Sequence, residues 1–201
     1  EPNTQRTGCN TCVGQYSPDG RQLCRTCAAG SQPTASVGAT WCEECSSLGA
    51  SFISPNGAAC TTCSVGQEPN DDHSACVNCG PGMYSTGSQC TPCAPGTQPT
   101  GDQSTCESCL VVGSNMFSGD GVSCTACAAG NEPLGNRTAC QSCAAVSNAH
   151  VSATGDTCVR CAAGMEPNDD LSGCSNCMAK NDTFWYSSDG SPCDRCQPGE
   201  Q

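Results

Sequence analysis

The side chains with most chemistry to offer are cysteines, and their spacing follows one rule. They run Cys9 and Cys12, Cys24 and Cys27, Cys42 and Cys45, Cys60 and Cys63, Cys76 and Cys79, Cys90 and Cys93, then Cys106 and Cys109, Cys124 and Cys127, Cys140 and Cys143, Cys158 and Cys161, Cys174 and Cys177, Cys193 and Cys196. All 24 belong to a Cys-x-x-Cys pair. Thiols so placed support three chemistries: structural disulfides, four-sulfur zinc sites, or a redox-active dithiol. A redox centre needs one thiol of lowered pKa at a helix start, within a βαβ setting that this sequence does not offer. Zinc sites would fit the spacing, but His is nearly absent and Lys and Arg together number 7. Two sequons, Asn136-Arg137-Thr138 and Asn181-Asp182-Thr183, suit a secreted chain and are the candidate glycosylation sites. We therefore read all 24 cysteines as disulfide partners, with no metal and no cofactor.

The segments that must position these cysteines alternate between two kinds. The first kind begins Cys-x-x-Gly-x-Glu/Gln-Pro, as in Cys27, Gly30, Gln32, Pro33 and in Cys63, Gly66, Glu68, Pro69. It returns at Cys93, Gly96, Gln98, Pro99; at Cys127, Gly130, Glu132, Pro133; and at Cys161, Gly164, Glu166, Pro167. The second kind carries an aromatic, then Ser, then Gly: Tyr16, Ser17, Gly20; Phe52, Ser54, Gly57; Tyr84, Ser85, Gly87; Phe117, Ser118, Gly121; Tyr186, Ser187, Gly190. One copy departs, with His150 and Val151 ahead of Ser152 and Gly155. A pair of segments makes one repeat, so the chain reads as six tandem repeats, approximately residues 1–31, 32–67, 68–97, 98–131, 132–165 and 166–200. The phase shared by both ends suggests a piece of a longer array.

Large apolar residues are scarce, with three Phe, three Tyr and two Trp, and Gly and Pro interrupt nearly every window that might become a helix. Asp19-Gly20, Asn56-Gly57, Asp120-Gly121 and Asp189-Gly190 are hairpin-turn dipeptides, so the second kind of segment is expected to be a β-hairpin. The first kind is expected to be an irregular loop, reversed at its Gly and stiffened at its Pro. One buried aromatic contributes about 1.5–3 kcal/mol. A disulfide closing about 15 residues contributes roughly 3 kcal/mol. Two disulfides per repeat would therefore rival or exceed it. The expected fold is small and disulfide-rich, mostly β-hairpins and irregular loops, an elongated tandem-repeat rod without a large hydrophobic core.

Spacing leaves the connectivity open. Serial linkage would join Cys27 to Cys42 and Cys45 to Cys60; staggered linkage would join Cys9 to Cys24 and Cys12 to Cys27. The staggered form is the expectation, because it ties both cysteines of a pair to one partner pair.

Other side chains carry less. Asn70-Asp71-Asp72 and Asn168-Asp169-Asp170 could offer oxygens to calcium but lack a bidentate Glu at loop spacing, and read as solvated acidic turns. His73 and His150 have no nucleophile pattern around them, and no GxSxG, HExxH or phosphate loop is present, so no catalytic residue is expected and the chain reads as non-enzymatic. The cluster Phe184, Trp185, Tyr186 is either a partner site or packing against a disulfide. The net charge of −12 disfavours nucleic acid and anionic membrane surfaces. Residues 1–7 lack the zones of a signal peptide and no 18-residue apolar run exists, so membrane attachment would come only through parts outside this segment.

The Cys-x-x-Cys rhythm with its Gly and Glu/Gln-Pro resembles the cysteine-rich repeats of protist surface proteins, above all ciliate immobilization antigens and more distantly Giardia variant-specific surface proteins. The resemblance spans essentially the whole chain. It implies a secreted, often lipid-anchored coat whose outer repeats are stiff rods; the expected partners are the chain itself, through neighbouring repeats or subunits, and covalent glycans at the sequons. The expectation is thus a structural rod, in a surface coat or an extracellular fibre, with a receptor or adhesin ectodomain as the alternative class.

Overall fold

The structure is a computed structural model describing residues 11–19, 23–180, 184–197 and 199. The chain forms two compact units, Glu1–Pro92 with Pro99–Thr105, and Cys93–Gln98 with Cys106–Gln201. Within the first unit, four hairpins lie among the described residues: Ser31–Pro33 with Cys42–Glu44, Phe52–Ile53 with Thr61–Thr62, Gln67–Pro69 with Cys76–Asn78, and Met83–Tyr84 with Thr91–Pro92. Within the second, five more follow the same alternation, from Met116–Phe117 with Thr125–Ala126 to Trp185–Tyr186 with Asp194–Arg195.

The second kind of segment is the expected hairpin. The first kind is also a hairpin, which corrects the expectation of an irregular loop. Glu68 lies opposite Val77 and Pro69 opposite Cys76; Glu132 lies opposite Gln141 and Pro133 opposite Cys140. Proline is tolerated because each sheet has only two strands, so the position without an N–H can face away from the partner. The tips carry no Asn-Gly signature. Four of the five turn instead through His73, Gln103, Arg137 and Leu171, non-glycine residues at φ 55, 54, 60 and 59°, and each of these tips is closed by a backbone bond such as Asn70 N–H to Ala75 O at 2.9 Å.

Among the described residues, eleven disulfides close segments of 11 to 16 residues, one after another: Cys12 to Cys24, Cys27 to Cys42, Cys45 to Cys60, and so on to Cys177 with Cys193. The linkage is serial, not staggered. The reason lies in the pairs: the residues between two cysteines are extended, as in Cys76–Asn78 before Cys79 or Thr61–Thr62 between Cys60 and Cys63. A step of three residues along a strand sets the two Cα atoms about 10 Å apart and turns their side chains to opposite faces, so one bonds backward and the other forward. Cys196, expected in a disulfide, is the free cysteine among the described residues; serial order directs its bond to a later cysteine, and none follows it in this sequence. Cys9 lies outside the described residues.

What is buried is mostly sulfur. Cys45, Cys109 and Cys143 are fully buried, joined by a few small aliphatics such as Ile53, Ala149 and Val151. Among the described residues, four short helical turns, Cys45–Ser47, Cys109–Val112, Cys143–Val146 and Cys177–Ala179, each begin on a bridged cysteine. Ser108 and Ser142 cap two of them through their side chains.

Candidate functional site

The most constrained group in each repeat is a serine. Ser54, Ser85, Ser118 and Ser152 are all but fully buried, and each backbone joins two neighbouring first-kind hairpins. Ser54 accepts at its carbonyl from Gly30 N–H at 2.7 Å and donates its own N–H to His73 O at 2.9 Å. The same two bonds recur around Ser85 with Gly66 and Gln103, around Ser118 with Gly96 and Arg137, and around Ser152 with Gly130 and Leu171. Each residue that receives the serine N–H is a positive-φ residue of a hairpin tip. The hydroxyl stays satisfied within its own hairpin: Ser54 Oγ donates to Ala58 O at 2.9 Å and Ser152 Oγ to Asp156 O at 2.8 Å.

The motif Gly works beside it. Gly66 donates forward to Ser85 and accepts from Cys79 N–H at 2.8 Å. Its φ is +73°, and a Cβ there would stand 2.8 Å from Asp102 O, so only glycine lets the next tip close in. The motif Glu or Gln reaches across to the neighbouring hairpin, where its side-chain oxygen accepts the N–H of a bridged cysteine, as between Gln32 and Cys60 at 2.7 Å.

The sequence flagged these serines as a rhythm without assigning them a role, and gave the motif glycines only a tight reversal. A polar residue that recurs in a chain so poor in apolar side chains, beside the aromatic strand in every copy but that of His150 and Val151, was the available signal.

The acidic turns are internally bonded. Asp72 Oδ1 accepts from Ser74 N–H at 3.0 Å and from its hydroxyl at 2.6 Å, and Asp170 repeats this with Ser172. These bonds hold both carboxyls below the ordinary value. Asn70 and Asn168 accept from Ser74 and Gly173 N–H across the same turns. Among the described residues, no three His, Cys, Asp or Glu side chains converge as a metal cluster would, and no helix is long and apolar enough to cross a membrane.

His73 Nδ1 donates to Phe52 O at 2.6 Å, which makes it part of the tip seating. His150 takes the place of Phe52 in its own hairpin, opposite Arg160, with Nδ1 buried and unpartnered. Of the aromatic cluster, Trp185 is half-buried beneath Lys180, whose Nζ lies 4.8 Å from the ring centroid, while Phe184 and Tyr186 are exposed. Lys180 also pairs with Glu166 at 2.9 Å. Burial opposes ionisation of Glu166, but Lys180 and the Cys193 N–H outweigh it and lower its pKa. Asn136 sits exposed at a hairpin tip; Asn181 lies outside the described residues.

These features define a disulfide-stabilised, hairpin-repeat protein of an oxidising compartment, secreted or extracellular, in which cystines and buried serines take the place of an apolar core. No family model matches the chain, and no curated protein matches it.

Proposed function

We propose that the protein is a non-enzymatic structural element outside the cell: a disulfide-stiffened rod that serves in a surface coat or as the subunit of an extracellular fibre. The observation that supports this most is the junction itself. In both units, one serine, one glycine and one Glu or Gln repeat the same bonds between consecutive hairpins, so contacts are made with neighbours in sequence, the hallmark of a quasi-one-dimensional body. A reaction needs convergent groups; here the recurring polar groups are spent on joining hairpins. The resemblance to protist coat repeats points the same way, and the protein's partner is then another copy or a neighbouring repeat.

Electron microscopy of native material tests the reading. Threads or bristles of uniform width are expected; a compact globule overturns it. The exposed Phe184 and Tyr186 favour a ligand-binding ectodomain as the second reading, and capture of one ligand that is lost on replacing both with Ser would select it.

A further inference from the structure

We infer that Asn136 is an N-glycan attachment site, with a hairpin tip built to carry the sugar without losing its structural cap. The inference rests on the secreted reading and adds a modification to it. Four first-kind tips place an Asx residue at the same point, ahead of the positive-φ residue: Asp72, Asp102, Asn136 and Asp170. In each, Oδ1 accepts from the backbone N–H two residues on, at 3.0 Å for Ser74, Ser104 and Ser172 and 3.2 Å for Thr138. The hydroxyl of that residue donates to the same oxygen, Thr138 Oγ1 at 2.9 Å.

The cap uses only Oδ1, an oxygen that both Asp and Asn supply, and capping gives no reason for Asn in one tip. What Asn adds is a side-chain nitrogen. Among the described residues, Asn136 Nδ2 donates to nothing, and the residue is exposed. The middle residue of the sequon does the anchoring: Arg137 receives Ser118 N–H at its carbonyl, and its guanidinium donates to Ser114 O and, at 3.3 Å, to Met116 O. The tip is held from below by Arg137, leaving the Asn136 amide facing water.

The donor would be a lipid pyrophosphate-linked oligosaccharide of the secretory route. The Asn136 nitrogen forms a bond to the anomeric carbon as the carbon–oxygen bond to pyrophosphate breaks; the lipid pyrophosphate leaves with the electron pair, and the amide proton passes to a base. Nothing is oxidised or reduced. Oδ1 keeps both of its bonds afterwards, so the glycan and the cap coexist.

The test is peptide mass spectrometry of the protein secreted by a eukaryotic host, before and after amidase removal of N-glycans in heavy-oxygen water. Expected is a glycan on the Asn136 peptide and heavy-oxygen label at that residue on release. Asn136→Asp and Thr138→Ala should lose the glycan, and Thr138→Ser should keep it. Asn136→Asp should also keep the disulfide map, since Asp caps the other tips. An unmodified Asn136 peptide from fully disulfide-bonded secreted protein overturns the inference. Imaging of the same material separates the two readings: unglycosylated threads would sink the glycan alone, and glycosylated globules the rod alone.

Discussion

Glu132 Oε2 accepts the backbone N–H of Cys158 at 2.7 Å, across 26 residues of sequence, while its other oxygen accepts from Gln141 Nε2 at 2.7 Å on the opposing strand. The same first bond is made by Gln32, Glu68, Gln98 and Glu166 to Cys60, Cys90, Cys124 and Cys193. An amide oxygen and a carboxylate oxygen both accept, which is why Glu and Gln alternate at this position. In three of the five the opposing residue changes to match: Gln32 faces Glu43, Gln98 faces Glu107, and Glu132 faces Gln141, whereas Glu68 faces Val77 and Glu166 faces Ser175.

That complementarity yields a double-mutant cycle. Gln141→Glu alone sets two carboxylates face to face and should cost about 0.2–1 kcal/mol at neutral pH. Adding Glu132→Gln recreates the Gln32–Glu43 arrangement and should restore the denaturation midpoint. Additive losses in the double variant would show that the pair does not interact.

Ser54 tests the buried serine. Ser54→Ala keeps both backbone bonds but removes the hydroxyl's bond to the carbonyl of Ala58, an exposed residue, at a cost of about 0.5–1.5 kcal/mol. Hydrogen exchange at Gly30, whose N–H is held by Ser54 O, should quicken as the junction loosens. Unchanged exchange there would mean that the junction does not depend on the hydroxyl.

Gly57 tests close approach. It has φ +74°, and a Cβ would fall within contact of the Cys27 backbone. Gly57→Ala should cost on the order of 1–3 kcal/mol from backbone strain before any clash is counted. Gly135→Ala is the control, since a Cβ there meets nothing within 4 Å; the two should differ clearly in thermal midpoint.

Much of this fold could be read from the chain. The paired cysteines announced the disulfides, and Asn56-Gly57 and Asp120-Gly121 announced the second-kind hairpins. What escaped was the first-kind hairpin, because its tip takes positive φ at His73 or Leu171, residues with no turn signature, and its strand contains Pro69 or Pro167. The connectivity escaped for a related reason. In the folded chain the residues between Cys76 and Cys79 are extended and set the two cysteines on opposite faces, one bonding backward and one forward, but spacing alone does not reveal that extension. The candidate site was half legible: Ser54 and Gly66 stood out as periodic, whereas the tip carbonyls they serve belong to residues of no shared type.

The bonding order makes its own prediction. Partial digestion without reduction should recover Cys63 joined to Cys76 and Cys79 joined to Cys90. Replacing both Cys63 and Cys76 with Ser should cost about 3 kcal/mol, most of it through a freer unfolded chain. Recovery of Cys63 joined to Cys79 would contradict the ladder.

The hairpin tips also set how the protein meets acid. Asp102 accepts from Ser104 N–H at 3.0 Å, Thr100 Oγ1 at 2.8 Å and Ser104 Oγ at 2.8 Å, and these bonds hold its pKa at about 2, below the ordinary 3.8. A carboxyl depressed on folding contributes stability that is present above the unfolded value and lost as pH falls through the folded one. The loss should therefore run from just under pH 4 down to about 2, with Asp72 and Asp170 shifted in the same direction. Protonation also relieves the repulsion of a chain with net charge −12, which acts the opposite way. Salt separates the two, since about 0.1 M screens exposed charges beyond about 10 Å but leaves a direct hydrogen bond in place. The urea midpoint of the unreduced protein should fall with acid more steeply in salt than without it, and Asp102→Asn should flatten part of that fall. A midpoint that rises with acid even in salt would mean that the tip carboxylates do not govern acid stability.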